Sequence, residues 1–428
     1  MILYSKGSPR DVLSSEDLRA GMQAVLDALG PRRRVAVIPP DITRVHSQAG
    51  VLTQAAWELL GDRLVDVLPA TGTHSPMTRE EIARMFGAVP ATLFRVHDWR
   101  AGCTTLGTVP ADFVASVSDG RVDYSIPIQV DRLLAGGAHD LILSVGQVVP
   151  HEVVGMANHA KNLFIGTGGA EAINKTHFLG AAYGMERMMG RADTPVRRVL
   201  EYGSEHFAKG LPVVYVLTVV GLDEHGSLAV RGLFAGDDAE CFRRAAELSL
   251  QVNFDLLDEP LEKVVVYLDP SEFRSTWLGN KSIYRTRMAL ADGGELLVLA
   301  PGVSQFGEDQ VIDRLIRSYG YGGTPRVLEL VKARRELQDN LSAAAHLIHG
   351  SSEGRFTITY APGGLSREEI ESVGFNYTRP DDVMKRYDPR TLRDGMNRLP
   401  DGEQLFFISN PALGLWALRS RFDDTRKD

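Results

Sequence analysis

Short, continuous runs of apolar residues recur along this chain, and each run stops at or near glycine, proline or aspartate. Such runs are typical of strands that are buried on both faces, as in a parallel sheet covered by helices. Segments with helical spacing lie between them. The alternation predicts an α/β fold with mainly parallel sheets. The predicted strands are residues 35–38, 64–68, 141–145, 264–268, 296–300, 356–360 and 405–408.

The helical segments between these strands begin with residues that favour helix starts. Residues 15–29 form the clearest segment, with Ser15 as the predicted N-cap and Asp17 in the first turn. The other segments are residues 78–86, 241–252 and 309–318.

The length of 428 residues is compatible with two or three domains. A polar, proline-containing stretch at residues 255–262 precedes a new series of strands and helices. We therefore predict an N-terminal α/β domain over residues 1–258 and a smaller C-terminal α/β domain over residues 259–404. The tail, about residues 405–428, is expected to pack back on the N-terminal domain.

Composition argues against several classes of partner. The formal net charge is −8 and no long basic run is present, which disfavours nucleic acid or an anionic membrane. The two cysteines do not form a disulfide framework or a metal-ligand pair by spacing. The first residues lack the apolar core of a signal peptide, and the longest apolar stretch, residues 213–222, is too short to cross a bilayer. These features predict a soluble cytoplasmic protein.

Familiar cofactor and metal motifs are missing. Residues 166–171 are glycine-rich, but Glu171 stands where a dinucleotide fingerprint needs its third glycine. His151 and Glu152 resemble the start of a zinc-protease motif, but Gly155 replaces the second histidine.

Polar residues follow the first two predicted strands, where ligands bind in open α/β sheets. Asp41, Thr43 and Arg44 follow the first strand, and His74 follows the second. Arg44 could clamp a carboxylate or form a loop salt bridge with Asp41, and His74 could exchange a proton or simply be exposed. A further cluster, residues 97–99, is interpreted as a surface turn.

Residues 146–177 contain the densest set of chemically useful side chains. His151, His159, His177 and Lys161 lie there together with the glycine-rich loop. Imidazoles serve both acid–base catalysis and metal ligation, so the segment favours metal- or cofactor-assisted catalysis. Spacing alone does not indicate that these side chains converge.

Three segments together resemble the nickel-dependent lactate racemase family, from Pro40 to about His177 and weakly onward to about Gly302. PPDITR is similar to the family's Pro-Asp-x-Thr-Arg, and ATGTHSPMTREEI to its Gly-Thr-His-Arg-Pro-Met-Thr segment. PHEVVGMANHAKNLFIGTGGAEAINKTH resembles its long cofactor segment. In the second domain, TWLGNKSIYRTRMAL resembles the family's Tyr-Gln-x-x-Lys helix.

The resemblance implies two α/β domains with the active site at their interface, and a nickel-pincer nucleotide as cofactor. This pyridinium mononucleotide holds nickel through two sulfurs and one ring carbon. Lys161 would be its covalent attachment point, and His177 would be the protein ligand to nickel. Four further residues would contact the cofactor, namely Asp41, Thr43, Gly168 and Gly169.

The same resemblance implies roles toward the substrate, a small 2-hydroxy acid. His74 and His151 would be the acid–base pair, one for each enantiomer. Arg44 and Lys281 would hold the substrate carboxylate, and Trp277 would reshape the pocket, since it stands in the place of the family's tyrosine. Short aliphatic substrates are favoured, and larger hydroxy acids or sugar acids stay open.

The implied reaction is racemisation or epimerisation through a 2-keto acid. The hydrogen on the α-carbon is a poor acid because the carboxylate is already negative, whereas removal as hydride leaves a neutral ketone if an electron sink accepts it. One departure concerns the three residues before Lys161. Asn158, His159 and Ala160 stand where the family has small residues, often Ser-Gly-Gly.

Two other functions remain open at this point. The same histidines could serve a zinc or other divalent-metal hydrolase or lyase, or the chain could be a non-catalytic cofactor-binding protein. The expected partners are the small hydroxy acid and the enzymes that make the cofactor. Homo-oligomerisation stays open.

Overall fold

The computed structural model describes residues 1–223, 227–412 and 414–424, and the chain divides into two compact units. The N-terminal unit consists of residues 1–179 and 188–253. The second unit consists of residues 180–187 and the chain from residue 254 onward. Each unit is built around its own six-stranded sheet.

The sheet of the N-terminal unit has the strand order β1-β10-β9-β6-β2-β3. The four strands from β9 to β3 run parallel, whereas β10 and β1 are added antiparallel at the other edge. Two small antiparallel pairs, β4 with β5 and β7 with β8, lie outside this sheet. The strands are β1 (Ile2–Gly7), β2 (Val35–Ile38), β3 (Leu64–Val67), β4 (Cys103–Val109), β5 (Ile126–Asp131), β6 (Leu141–Gln147), β7 (Pro150–His151), β8 (Gly155–Met156), β9 (Val213–Leu222) and β10 (Leu228–Gly236).

Helices pack on both faces of this sheet, and the side chains of β9 alternate between the two cores. Val214 and Val216 join the core under α1 and α2, while Tyr215 and Leu217 join the core under α9. The helices in this part of the chain are α1 (Ser15–Leu29), α2 (Ala49–Leu60), α3 (Arg79–Phe86), α4 (Ala111–Val117), α5 (Arg132–Ala135), α6 (Ala170–Tyr183), α7 (Met185–Met188), α8 (Pro195–Phe207) and α9 (Ala239–Val252). The last turn of α6 and most of α7 belong to the second unit. Shorter turns are 3-10 helices over Ile42–Ser47, Gly61–Arg63 and Ala91–Leu93 and a π-helix over Asn162–Gly166.

The sheet of the second unit has the order β15-β14-β13-β12-β17-β16. All its neighbouring strands are parallel except β16, which pairs antiparallel with β17. A separate parallel pair joins β11 and β18. The strands are β11 (Phe254–Leu257), β12 (Leu261–Tyr267), β13 (Leu290–Ala300), β14 (Thr357–Pro362), β15 (Asn376–Tyr377), β16 (Gly395–Arg398), β17 (Gln404–Ile408) and β18 (Leu415–Leu418).

The helices of the second unit are mostly short. They are α10 (Thr276–Gly279), α11 (Lys281–Tyr284), α12 (Gln310–Tyr319), α13 (Thr324–Ala333), α14 (Arg335–Gln338), α15 (Leu341–His349), α16 (Arg367–Ser372), α17 (Pro380–Val383) and α18 (Arg419–Asp424). In the described part of the chain, no helix combines the length and apolar character needed to cross a bilayer.

The predicted fold class, two α/β domains with mainly parallel sheets, is confirmed. Two details differ. Ser14, not Ser15, is the N-cap of α1, because its hydroxyl accepts the amide of Asp17 in a capping box. The tail at residues 405–428 was expected to pack on the N-terminal domain, but β17 and β18 belong to the second unit, where β17 pairs with β12.

The central strand β6 gives a test of the N-terminal core. The Leu143 side chain is fully buried in the core on one face of the sheet, so Leu143→Ala should lower the free energy of unfolding of this unit by about 2–5 kcal/mol. Urea unfolding followed by peptide-level hydrogen exchange measures the change. Leu222→Ala is the matched control, since Leu222 is 40% exposed at the end of β9 and its loss should cost about 0.5 kcal/mol or less. Equal effects of the two variants would contradict the assignment of this core.

Candidate active site

The carboxyl ends of β2 and β3 bring two predicted loops together. The strands are parallel neighbours, and their pairing continues past the strand ends as a bridge between Pro40 and Ala70. The amide of Ala70 donates to the carbonyl of Pro39 at 2.7 Å. The loop that carries Asp41 therefore lies beside the loop that carries His74.

Asp41 and His74 form a hydrogen-bonded pair. Asp41 is buried and caps the 3-10 helix at residues 42–47 through the amide of Thr43, whose hydroxyl also donates to it. His74 Nδ1 lies 2.6 Å from the second carboxylate oxygen. Burial alone would raise the pKa of the Asp41 carboxyl, but the charge and hydrogen bond of His74 hold that pKa well below its usual range.

This pairing sets the tautomer of His74. An ionised carboxylate only accepts hydrogen bonds, so Nδ1 carries the proton in the pair. The neutral ring then has its lone pair on Nε2, and the side chain is 30% exposed. His74 is thus arranged as a proton acceptor oriented by an acid.

Arg44 does not form the loop salt bridge with Asp41 that was the alternative interpretation of this residue. Its guanidinium donates to the carbonyl and the hydroxyl of Thr43. Among the residues that the structure describes, no carboxylate lies within ion-pair distance of it. Arg44 therefore keeps donors for an anionic ligand.

His151 is held in the opposite tautomer. It lies in the small β7–β8 hairpin, and its Nδ1 accepts the amide of Val153 at 3.1 Å. Because an amide N–H must donate, Nδ1 carries the lone pair and the proton of the neutral ring is on Nε2. Glu152 lies 3.6 Å from the same nitrogen. The neutral ring of His151 therefore carries its proton on Nε2, whereas that of His74 carries it on Nδ1.

Lys161 lies just before the π-helix at residues 162–166 and within the electrostatic reach of this cluster. Burial and the Arg44 guanidinium lower the pKa of its ammonium to about 8, against the opposing charges of Glu152 and Asp41. A substantial fraction of the Lys161 amine is therefore neutral, and nucleophilic, near physiological pH.

His177 lies on α6. Its Nδ1 donates to the carbonyl of Ile173 at 2.7 Å, which leaves the Nε2 lone pair for a metal. Burial, with a smaller contribution from Lys161, lowers the pKa of the ring to about 4, so the ring is neutral at pH 7. In the described residues, no three His, Cys, Asp or Glu side chains are grouped as a metal site.

The glycine-rich loop packs tightly against its own unit. A side chain at Gly168 would collide with the carbonyl of Phe164, and one at Gly169 with the side chain of Gln129. Both glycines are thus explained by protein packing, and their contact with a cofactor stays a prediction. The loop also touches the His74 loop, since the amide of Gly72 donates to the carbonyl of Gly166 at 2.9 Å.

His97 was interpreted as part of a surface turn, and this was wrong. The ring is buried, with Nδ1 2.8 Å from Asp131 and Nε2 3.1 Å from the carbonyl of Gly168. It thereby ties the glycine-rich loop to β5. The local sequence carries no signal for this, because its partners are 34 and 71 residues away.

Trp277 and Lys281 lie in the second unit, on the consecutive helices α10 and α11. Lys281 is buried, and its ammonium lies 5.8 Å from the ring of Phe273. The Trp277 ring packs on that of His346 with centroids 4.4 Å apart. Their predicted roles toward a substrate stay predictions.

Two solved structures resemble this chain over nearly its whole length. A protein from Thermotoga maritima has a TM-score of 0.83 at 24% identity, with 97% of this chain and 100% of that chain covered. The lactate racemase apoprotein from Thermoanaerobacterium thermosaccharolyticum has a TM-score of 0.65 at 17% identity, with 96% and 93% covered. At these identities the likeness supports the fold. No curated protein sequence matches the chain.

The family comparison covers the stretch that holds most of the cluster. Residues 16–188 match the family model of the lactate racemase N-terminal domain. Asp41, His74, His151, Lys161 and His177 all lie within that range. The N-terminal unit thus contains a stretch similar to the lactate racemase N-terminal domain, and that stretch includes all five of these residues.

Proposed function

We propose that this protein racemises or epimerises a small 2-hydroxy acid with the help of a nickel-pincer nucleotide. The observation that carries the proposal is the pair of histidines fixed in opposite tautomers, His74 by Asp41 and His151 by the amide of Val153. Inversion of a carbinol centre through a ketone needs an acceptor for the hydroxyl proton and a hydrogen-bond donor to the ketone oxygen, and this pair supplies both. The similarity to the lactate racemase N-terminal domain supports the same reaction class.

The residues of the N-terminal unit fit the proposed cofactor. His177 has an Nε2 lone pair and is neutral at pH 7, as a nickel ligand requires. Lys161 has a lowered pKa, as covalent attachment through its amine requires. When bound, the cofactor supplies an electron sink that accepts hydride from the substrate carbon.

The two histidines would act at the hydroxyl oxygen of the substrate. His74 Nε2 takes the proton from the substrate hydroxyl as the carbon is oxidised, and Asp41 stabilises the resulting imidazolium. The planar 2-keto acid would then be reduced on its other face, with the proton held by the His74 imidazolium returning to the oxygen while His151 Nε2–H donates a hydrogen bond to that oxygen. The reverse reaction passes through the same states in the opposite order.

The carboxylate of the substrate needs cations that hold it through this change. Arg44 is the candidate in the N-terminal unit, because its guanidinium has donors left over. Lys281 is the candidate in the second unit, and Trp277 next to it would limit the size of the substrate chain. A short aliphatic acid is the first substrate class to examine.

The remaining parts of the proposal concern the surroundings of the protein. The cofactor would be received from its synthesis enzymes, and the substrate would be a soluble small molecule. Neither nucleic acid nor a membrane is a proposed partner, in keeping with the net charge of −8. The cytoplasm is the proposed location, and self-association is left open.

The function can be tested by producing the full chain together with the cofactor-synthesis enzymes. We expect bound nickel, a nucleotide adduct in the intact mass, and interconversion of the enantiomers of at least one hydroxy acid in a chiral panel. Lys161→Ala should lose the covalent adduct, whereas Lys209→Ala, which changes an exposed lysine of the same unit, should keep it. Stoichiometric zinc with hydrolytic turnover, or cofactor binding without any interconversion, would contradict the proposal.

The Asp41–His74 pair gives a second prediction. Asp41→Asn removes the charge that fixes the His74 tautomer, so kcat should fall about 100-fold with either enantiomer while KM changes little. Chiral chromatography of initial-rate samples measures the loss. Asp62→Asn, a change of an exposed aspartate in the same unit, should leave kcat unaltered. A variant Asp41→Asn with full activity would remove His74 from the proposed mechanism.

The lowered pKa of Lys161 predicts a pH profile for the cofactor-free protein. Only the neutral amine attacks an acylating reagent, so the rate of acetylation of Lys161 by N-acetoxysuccinimide should rise with pH and level off above about pH 8. Peptide mass spectrometry after short exposures measures the rate. Nα-acetyl-lysine amide under the same conditions should keep gaining rate up to about pH 10. A Lys161 profile that follows this compound would contradict the half-buried, cation-flanked environment.

A further inference from the structure

The two residues that lead into Ala160 and Lys161 have an unfavourable backbone conformation. Asn158 has a φ of 67° and His159 a φ of 57°, so both lie in the left-handed region. Residues with a Cβ rarely adopt this conformation, and they do so in succession only when other contacts hold them there. The direction in which the chain enters the Lys161 segment therefore depends on those contacts.

A single side chain binds the carbonyls of Met156 and Asn158 in this turn. Arg197, on α8, donates from one terminal nitrogen to the carbonyl of Met156 at 2.6 Å. Both its terminal nitrogens also donate to the carbonyl of Asn158, at 3.2 and 3.3 Å. Three main-chain amides add to this. The amide of His159 donates to the side chain of Asn158 at 2.8 Å, that of Ala157 to the carbonyl of Val149 at 2.8 Å, and that of Asn162 to the carbonyl of His159 at 2.9 Å.

Arg197 is an unusual residue to find at this position. It is 1% exposed, and in the described chain no carboxylate lies within ion-pair distance of its guanidinium. Burial lowers its pKa to about 10, so the side chain is still charged at pH 7. A buried cation is costly, and here its terminal donors go to main-chain carbonyls of one turn. The guanidinium also packs on the ring of Phe242, 4.0 Å from its centroid.

His159 contributes packing rather than hydrogen bonds. Its ring lies 3.9 Å from that of Tyr215 and 5.4 Å from that of Phe242, between centroids. Among the described residues, neither ring nitrogen has a partner at hydrogen-bond distance and angle. Burial lowers the pKa of the ring to about 3, against the opposing effect of the Asp238 backbone, so the ring is neutral. Phe242 therefore supports both the His159 ring and the Arg197 guanidinium that holds the turn.

The chain is fixed again immediately after Lys161. The side-chain amide of Asn162 donates to the carbonyl of Ile38 at 3.1 Å and to the hydroxyl of Ser144 at 3.0 Å. These contacts attach the start of the π-helix to β2 and β6. Lys161 consequently lies between one anchor on the sheet and one anchor on Arg197.

We propose that Arg197 is a positioning residue for Lys161, because it holds the Met156–Asn158 carbonyls and so maintains the left-handed turn that directs the lysine side chain. The importance of that direction for catalysis rests on the proposed function, in which Lys161 carries the cofactor. The positioning itself belongs to the cofactor-free chain and can be measured there.

The test compares the acetylation of two lysines in the full-length, cofactor-free protein at one pH. N-acetoxysuccinimide transfers its acetyl group to an amine, with N-hydroxysuccinimide as leaving group, and mass spectrometry gives the rates at Lys161 and at the exposed Lys209. Arg197→Lys keeps a positive charge but cannot donate to both carbonyls with a planar fork. At about pH 11, where both amines are largely neutral in every variant, we expect the Lys161 to Lys209 ratio to rise at least fivefold, since the released turn exposes the amine.

Arg198→Lys is the matched control, because Arg198 is the next residue on α8 and pairs with Asp193 at the surface. It should leave the ratio unchanged. A purely structural role for Arg197 would lower the unfolding temperature without changing the ratio in the folded protein, and that outcome would overturn the proposal. The comparison does not use racemase activity, so it can succeed or fail independently of the proposed function.

A double variant tests the mechanism and covers the case in which Arg197→Lys does not fold. His159→Gly removes the steric cost of the left-handed conformation at that position, so the turn should depend less on the hydrogen bonds from Arg197. In the Arg197→Lys, His159→Gly protein the ratio should return to within twofold of that of His159→Gly alone. If the two substitutions act additively, or if the double variant fails to fold, Arg197 does not act through this turn and the proposal is wrong.

Discussion

The parallel pairing of β3, β2, β6 and β9 is the constraint on which the rest of the N-terminal unit depends. It aligns the carboxyl ends of four strands, so residues that are far apart in sequence emerge at one edge of the sheet. Asp41 follows β2, and His74 lies in the loop after β3. Two side chains that are 33 residues apart in the sequence can therefore share a hydrogen bond. The chemistry of the candidate site is therefore a consequence of strand order.

Much of this fold was predictable because a parallel strand that is covered by helices on both faces consists almost entirely of apolar residues. The run at residues 35–38 became β2 with the predicted bounds, since all four residues are buried. The position of the C-terminal tail was not predictable, because a short apolar run such as residues 405–408 carries no information about which sheet it joins. Pairing with β12 decided that question, and it depends on contacts about 140 residues apart in the chain.

The candidate site shows the same division between residue type and arrangement. The sequence indicated which side chains could do acid–base chemistry, but their tautomers depend on partners that no motif contains. A carboxylate sets one state for His74, and a main-chain amide two residues away sets the other for His151. The departure from Ser-Gly-Gly before Lys161 also has a structural counterpart. Asn158 and His159 adopt the left-handed backbone that glycine would adopt most easily.

Burial determines which side chains of the site are charged, and the result favours Arg44 as the residue that binds an anion. His177 is neutral at pH 7 and Lys161 is partly so, because both groups are desolvated. Arg197 is charged, but its terminal donors are occupied by the carbonyls of the turn. A guanidinium stays protonated at any physiological pH, and Arg44 keeps donors beyond its bonds to Thr43. Of these cations, Arg44 is therefore the one best suited to the proposed substrate carboxylate, while the partly neutral Lys161 and the neutral His177 are suited to the proposed cofactor.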